Sequence, residues 1–328
     1  MTSAHVTLPG SDVDIPKLGV GTWAWGDEST WGMGGYDAEL TLDSIGQAWN
    51  ASIDAGVTLF DTAEVYGGGE SERIIGSLLA ADPGRAEHVV VASKFMPSPW
   101  KLDVRASLLS ALRASLGRLG LPFVHLYQIH GPISLRSHAA LAAALAAAHE
   151  EGLVRAVGVS NYSIKETRSI AAALERHGMR LATNQIEFSL LRRSPDTGGL
   201  LAACADLGVI PLAYSPIGQG RLTGKYSAAH PPPGKRTFSN HPMDVIDGIV
   251  AELRRIGDDL GGKRPSQVAL NWVVAKGAVP IPGAKNRLQA EENAGALGWS
   301  LDGDQLDRLD RVALPGTRSL ANRFWQHG

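Results

Sequence analysis

The stretch Val57-Thr58-Leu59-Phe60-Asp61-Thr62-Ala63-Glu64-Val65-Tyr66-Gly67 holds an apolar run of strand length that breaks off into an acid and, five residues on, a phenol. A run rich in β-branched and aromatic residues suits a buried strand, and the polar residues after it belong to the loop beyond the strand's carboxyl end. The same break recurs downstream. Val89-Val90-Val91-Ala92-Ser93 ends on Lys94, and Val124-His125-Leu126-Tyr127-Gln128-Ile129 ends on His130. Three consecutive strands thus deliver an acid, a phenol, an amine and an imidazole to what should be one end of one sheet.

Outward from this segment the alternation continues. After an expected hairpin (Val6 to Leu8, Val13 to Ile15), strands are expected near Leu18–Val20, Val57–Phe60, Val89–Ser93, Val124–Ile129, Val154–Val159, Ala182–Ile186, Val209–Ala213 and Val279–Ile281. Helices are expected near 42–55, 71–81, 103–119, 137–150, 163–177, 197–207, 243–260 and 286–297. Asp103 and Ser163 suit N-caps, whereas Gly56, Gly178 and Gly208 suit the left-handed position that ends a helix. Eight strand–helix units in 328 residues predict a single (β/α)8 TIM barrel domain over residues 1–328, with an N-terminal β-hairpin and long βα loops at the C-terminal face. A doubly wound open sheet would want a phosphate-binding glycine turn opening a helix. Gly19 to Ala24 gives only a partial G-x-G-x-x-A, followed by a long loop. The segments 24–37 and 215–242 exceed ordinary connections, which marks them as candidates for binding work.

Composition excludes several function classes. Thirty-one Lys and Arg against 33 Asp and Glu give a net charge of -2 with no basic block, so no nucleic acid partner is expected. The longest apolar stretch, Ala139 to Ala148, is about half a bilayer span, so no membrane insertion is expected. Cys204 is the single cysteine, and the opening MTSAHVTLPGSDVDIP has neither an apolar core nor a basic leader; a reducing cytoplasm is the expected compartment. No metal is expected, because His125 and His130 lie five apart on a strand and point to opposite faces. Gly218 to Lys225 lacks the glycine spacing of a nucleotide triphosphate loop, and Tyr226 stands where such a loop needs Ser or Thr.

The four strand-end groups match what carbonyl reduction requires. Hydride reaching a carbonyl carbon builds charge on the oxygen, so an acid must deliver a proton there; a free tyrosine, at about 10, is poorly matched to neutral pH. An ammonium at Lys94 would favour the phenolate of Tyr66 and lower its pKa, Asp61 would hold Lys94 charged, and a neutral His130 would orient the carbonyl.

At this point the chain resembles the aldo-keto reductase superfamily. The stretches that carry the resemblance are FDTAEVYG (60–67), SK (93–94), YQIH (127–130), VGVSNY (157–162), NQIEFS (184–189), AYSPIGQGRLTGKY (213–226), IPGAKN (281–286) and EEN (291–293). The resemblance implies Asp61, Tyr66, Lys94 and His130 as catalytic residues, NADP(H) as cofactor and a small-molecule carbonyl as substrate. It further implies that Thr22, Trp23 and Asp61 meet the cofactor, that Ser160, Asn161 and Gln185 hold its carboxamide, and that Tyr214 stacks on the nicotinamide. Ser215, Pro216, Ile217, Gly220, Leu222 and Lys225 would line the pyrophosphate loop. Gly283, Lys285, Gln289, Glu292 and Asn293 would receive the adenosine end, in the pattern of the branch that holds potassium-channel β subunits and bacterial and plant pyridoxal reductase-like proteins. That branch brings an alternative, a cofactor-binding regulatory subunit with little turnover. Lys285 stands just before a helix N-terminus, where a 2′-phosphate is favoured. Trp23, Trp25, Trp31, Phe95, Trp100 and His130 are the expected substrate pocket, with Phe324-Trp325 as the next place to look. The sequence assigns no oligomeric state.

Overall fold

A computed structural model describes residues 4–28, 37, 39–233, 238–317 and 320–328. The antiparallel pair β1 (His5–Thr7) and β2 (Asp14–Pro16) precedes eight parallel strands. These are β3 (Gly19–Gly21), β4 (Leu59–Asp61), β5 (Val90–Phe95), β6 (Val124–Ile129), β7 (Val154–Ser160), β8 (Leu181–Glu187), β9 (Ile210–Tyr214) and β10 (Val279–Pro280). Each pairs with its neighbour in sequence from β3 to β10. A parallel bridge between Gly21 and Gly283 then joins first to last and closes the (β/α)8 barrel.

Around it run α1 (Leu42–Asp54), α2 (Glu70–Ala81), α3 (Pro83–Ala86), α4 (Val104–Leu119), α5 (His138–Glu150), α6 (Ile164–Glu175) and α7 (Ser194–Thr197). The series continues with α8 (Leu200–Leu207), α9 (Met243–Asp259), α10 (Pro265–Ala275), α11 (Arg287–Ala294), α12 (Gly303–Val312) and α13 (Leu320–Trp325). Asp103 caps α4 by accepting from Ala106 N, Ser163 forms a reciprocal capping box with Glu166 on α6, and Gly208 ends α8 at φ +67. The sequence reading missed α10 and α12, and the short helices α3 and α13. Within α10, Ser266 to Val273 is buried except for Gln267, so there is no polar face whose period could be read. Helix α12 is amphipathic and capped by Asp302, and it lies beyond the eighth strand–helix unit of the barrel.

Two apolar layers set the site's position. Inside the barrel, Leu59, Val90, Ala92, Leu126, Ala156 and Leu212 pack against Leu8, Val13 and Ile15 of the hairpin, which plugs the amino-terminal end of the strands. Between strands and helices lies the larger layer, with Phe60, Val91, Tyr127, Val157 and Ile186 facing α1, α4, α5 and α6. With one end plugged, the carboxyl end remains to open into a site, where β4, β5 and β6 deliver the polar residues. Beyond β4 the chain doubles back through Gly67 and Gly68, both at positive φ. A Cβ on Gly67 would meet Gly26 O at 2.4 Å, so only glycine lets the turn after Tyr66 press this close to the first loop.

Candidate active site

Lys94 lies in β5, inside the barrel and fully buried. Its Nζ donates to Asp61 Oδ2 at 2.5 Å, to Thr62 O at 2.8 Å and to the Tyr66 hydroxyl at 3.2 Å. Asp61 ends β4, and its second oxygen accepts from Gln185 Nε2 at 2.8 Å and Gln128 Nε2 at 3.2 Å. This buried carboxylate thus has one cation and two amide donors as partners, which offsets the cost of burying it. His130 follows β6, held by its backbone N–H to Phe95 O, and its ring meets that of Tyr66 edge-on at 5.6 Å. The four expected groups are therefore within reach of one another.

Their electrostatics differ from the sequence expectation in one respect. Burial pushes the Tyr66 phenol above its ordinary value of 10; Lys94 pulls it down but does not win. The phenol thus stays protonated at neutral pH. Burial pulls the Lys94 pKa down, but Asp61 and Tyr66 more than offset it, so it lies above its ordinary value and the ammonium is retained. Burial, aided by the charge of Lys94, holds His130 well below 6.5, so its ring is neutral.

From this tetrad a cavity of about 1290 Å³ runs across the barrel mouth. Thr22, Trp23, Asp61, Tyr66 and His130 line its inner end, with Ser160, Asn161, Gln185 and Tyr214 beside them. Ser215, Pro216, Ile217, Gly220 and Lys225 line the middle, and Gly283, Lys285, Gln289, Glu292 and Asn293 the far end. Leu222 does not line it: its side chain is wholly buried in the layer beneath. Four described non-glycine residues have positive φ, and three of them, Asn161 (65°), Ser215 (51°) and Gln219 (55°), line this cavity. Such backbone costs of order 1–3 kcal/mol each and persists where it aims polar groups at something. Asn161 is fixed by its N–H to Gln185 O and by the Tyr214 hydroxyl, which donates to its Oδ1 at 2.9 Å.

At the far end Asn286 caps α11 by accepting from Gln289 N, and Gln289 in turn accepts from Lys285 N. Lys285 Nζ pairs with Asp37 of the first loop at 2.7 Å. Glu292 accepts from Ser266 Oγ, and Asn293 Nδ2 donates to Gly283 O.

The expected aromatic pocket needs correction. Trp25 is completely buried, donates its indole N–H to Ala284 O at 2.9 Å and packs on Phe60. Phe95 is completely buried in the outer layer as well. Trp100 is 77% exposed and does not line the cavity. Trp31 falls outside the described residues. Trp23 does line the cavity, joined by Phe238, 5.9 Å away, and by Trp325, whose ring stands at 5.3 Å from that of His130.

The sequence reading also passed over Gln128, which a period of two would have placed on the inner face with Leu126. Phe238 and Gln326 carried no local signal, since both reach the site by long-range packing.

The sequence profile described as the aldo/keto reductase family matches residues 17–314, nearly the whole barrel, and the chain belongs to that family. It is 36% identical over 327 residues to the chloroplastic pyridoxal reductase of Arabidopsis thaliana, covering 96% of this chain and 87% of that protein. Among solved structures, the glycerol dehydrogenase from Gluconobacter oxydans superposes with a TM-score of 0.80 at 28% identity, covering 98% of this chain and 99% of that one. An aldo-keto reductase from Klebsiella pneumoniae in complex with NADPH superposes with a TM-score of 0.74 at 26% identity, covering 97% and 98%. Among the described residues, no helix is long and apolar enough to cross a membrane.

Proposed function

We propose that this chain reduces an aldehyde or ketone to an alcohol with NADP(H), Tyr66 being the proton donor. The observation that carries the reading is Lys94 Nζ shared between Asp61 Oδ2 and the Tyr66 hydroxyl, at 2.5 and 3.2 Å. The cofactor, when bound, supplies or removes hydride. The residues present fit it: an amide-rich corner at Ser160, Asn161 and Gln185, the aromatic face of Tyr214, backbone held at positive φ at Ser215 and Gln219, and Lys225 and Lys285 along the cleft. Cation and backbone donors of this kind suit a chain of phosphates.

Tyr66 delivers its proton to the carbonyl oxygen. The phenolate left behind faces the Lys94 ammonium, which is the point at which the charge of Lys94 acts: it stabilises the product of proton transfer although burial keeps the resting phenol neutral. Neutral His130 orients the carbonyl beside Tyr66, and the same groups serve oxidation in reverse. Trp23, Phe238 and Trp325 give the inner end an aromatic wall, which favours a carbonyl carried on a ring. The name of the Arabidopsis relative puts pyridoxal first among such compounds.

The test is NADPH consumption across a panel of pyridoxal, cyclic ketones and short aldehydes, with cofactor binding measured alongside. Turnover that Tyr66→Phe abolishes while NADPH still binds supports the reading. Tight cofactor binding without turnover on any carbonyl would point to a regulatory subunit.

A further inference from the structure

Two segments outside the barrel help wall the cavity, residues 238–242 through Phe238 and the stretch 322–328 through Trp325, and both are tied to one buried carboxylate. Glu187 closes β8 and is 3% exposed. Its Oε1 accepts from Ser239 Oγ at 2.5 Å, and its Oε2 accepts from Gln326 Nε2 at 2.6 Å, with Arg192 Nε 3.7 Å away. Glu187 itself does not line the cavity.

Each tie reaches a residue that does. Ser239 is itself buried at φ +42, and it follows Phe238, whose ring meets Tyr214 at 5.3 Å and Trp23 at 5.9 Å. Arg221 holds the same turn from below, donating to Phe238 O at 2.6 Å and Ser239 O at 3.0 Å. Gln326 also donates to the Tyr214 hydroxyl at 2.9 Å, and it follows Trp325, which stands against His130. His327 N and Gly328 N both donate to Asn161 O, at 3.0 and 3.2 Å. One carboxylate therefore stands behind Phe238 on one side and behind Trp325, Tyr214 and Asn161 on the other.

We infer that Glu187 is a positioning residue that makes residues 238–242 and the 322–328 stretch close on the site as one unit. The inference rests on the reading of Tyr214, Asn161 and His130 given above, since these are the groups so positioned. Tyr214 also touches both, through the Phe238 edge contact and the hydrogen bond from Gln326. A carboxylate suits the task because its two oxygens accept independently, so each segment gains a charge-assisted bond to the rigid end of a strand.

Amide hydrogen exchange of the whole chain, followed in peptides spanning 238–242 and 322–328, tests this. Ser239→Ala is expected to speed exchange mainly in the first, and Gln326→Ala mainly in the second. Glu187→Ala should speed both by about tenfold, the scale of losing one charge-assisted hydrogen bond at each end. Glu187→Gln, which keeps the shape and one acceptor oxygen, should fall between, and it serves if the alanine variant does not fold. NADPH Kd should weaken in step with exchange across the series while peptides from β4 to β7 stay protected. Acceleration in only one segment, in neither, or across the entire barrel overturns the inference. Failure of the wild type to reduce any carbonyl would refute the functional reading instead and leave the exchange result to decide this one.

Discussion

Trp325 stands edge-on to His130, with ring centroids 5.3 Å apart and planes at 66°, so a residue near the end of the chain walls the group expected to orient the carbonyl. Trp325→Ala should therefore lower kcat/KM for a ring-bearing carbonyl by about 1–3 kcal/mol of transition-state stabilisation and affect a three-carbon aldehyde less. Trp100→Ala should change neither, because that side chain is 77% exposed and away from the cavity. Steady-state kinetics on both substrates decide it; an effect of Trp100→Ala as large as that of Trp325→Ala would refute the placement.

Tyr66→Phe is expected to lower kcat by about 10²–10⁴-fold with NADPH Kd unchanged, since only the proton is lost. Lys94→Met should be as damaging and should also cost roughly 3–5 kcal/mol of stability, because Asp61 is left buried without its cation. Adding Asp61→Asn to Lys94→Met should restore much of that stability but none of the activity. Urea melts beside turnover assays separate the two effects, and a fully stable single Lys94→Met variant would count against a charged pair.

Lys285 and Asp37 lie 2.7 Å apart, each about three-quarters buried, across the end of the cavity where the adenosine 2′-phosphate is expected. Asp37 and that phosphate would compete for one ammonium. Lys285→Ala should reduce the preference for NADPH over NADH, and Asp37→Ala should increase it by removing the competing carboxylate. Kd values for both cofactors check this; unchanged discrimination in both variants would place phosphate recognition elsewhere, with Arg264 the next candidate.

Burial and the neighbouring charge of Lys94 hold the His130 pKa well below 6.5. In the unfolded chain the imidazole takes up a proton near 6.5, whereas in the native chain it stays neutral, so stability is lost as pH falls below about 6.5. One such group contributes a slope of up to about 1.4 kcal/mol per pH unit. His130→Gln should flatten the acid limb of unfolding free energy between pH 7 and 5. An unchanged slope would mean that His130 protonates freely in the native state.

The barrel and the tetrad were legible because each rests on local pattern. Apolar runs that end on Asp61, Lys94 and His130 state both the strand and its exit, and the N-caps Asp103 and Ser163 are read from single residues. Helix α10 was lost because burial on nearly every side erases the period that betrays a helix. Trp25 and Trp23 show the limit most plainly: two residues apart in one loop, they have the same side chain and opposite fates. Only tertiary packing decides that Trp25 turns inward to Ala284 while Trp23 faces the cavity. The Tyr66 phenol makes a similar point, since Lys94 predicts the sign of one influence but burial, invisible in the sequence, sets the net direction.

The seam that closes the barrel has a consequence for how the chain is made. Strand β3 is joined to the last stretch of the barrel through the Gly21–Gly283 bridge and the Gly21 N–H to Pro282 O, and a Cβ on Gly21 would meet Ile281 O at 2.8 Å. In the order of synthesis residues 19 to 214, with the seven strands β3 to β9, precede β10, and a sheet of those seven alone would have two bare edges, β3 and β9. They must wait for some 65 further residues before β10 arrives to fill the gap. A sheet caught at that stage would be open to wrong partners along both edges. Thr22 and Gly283, which flank that seam, line the cavity, so a ligand held there would bridge the last joint to form and favour the closed ring over the open one.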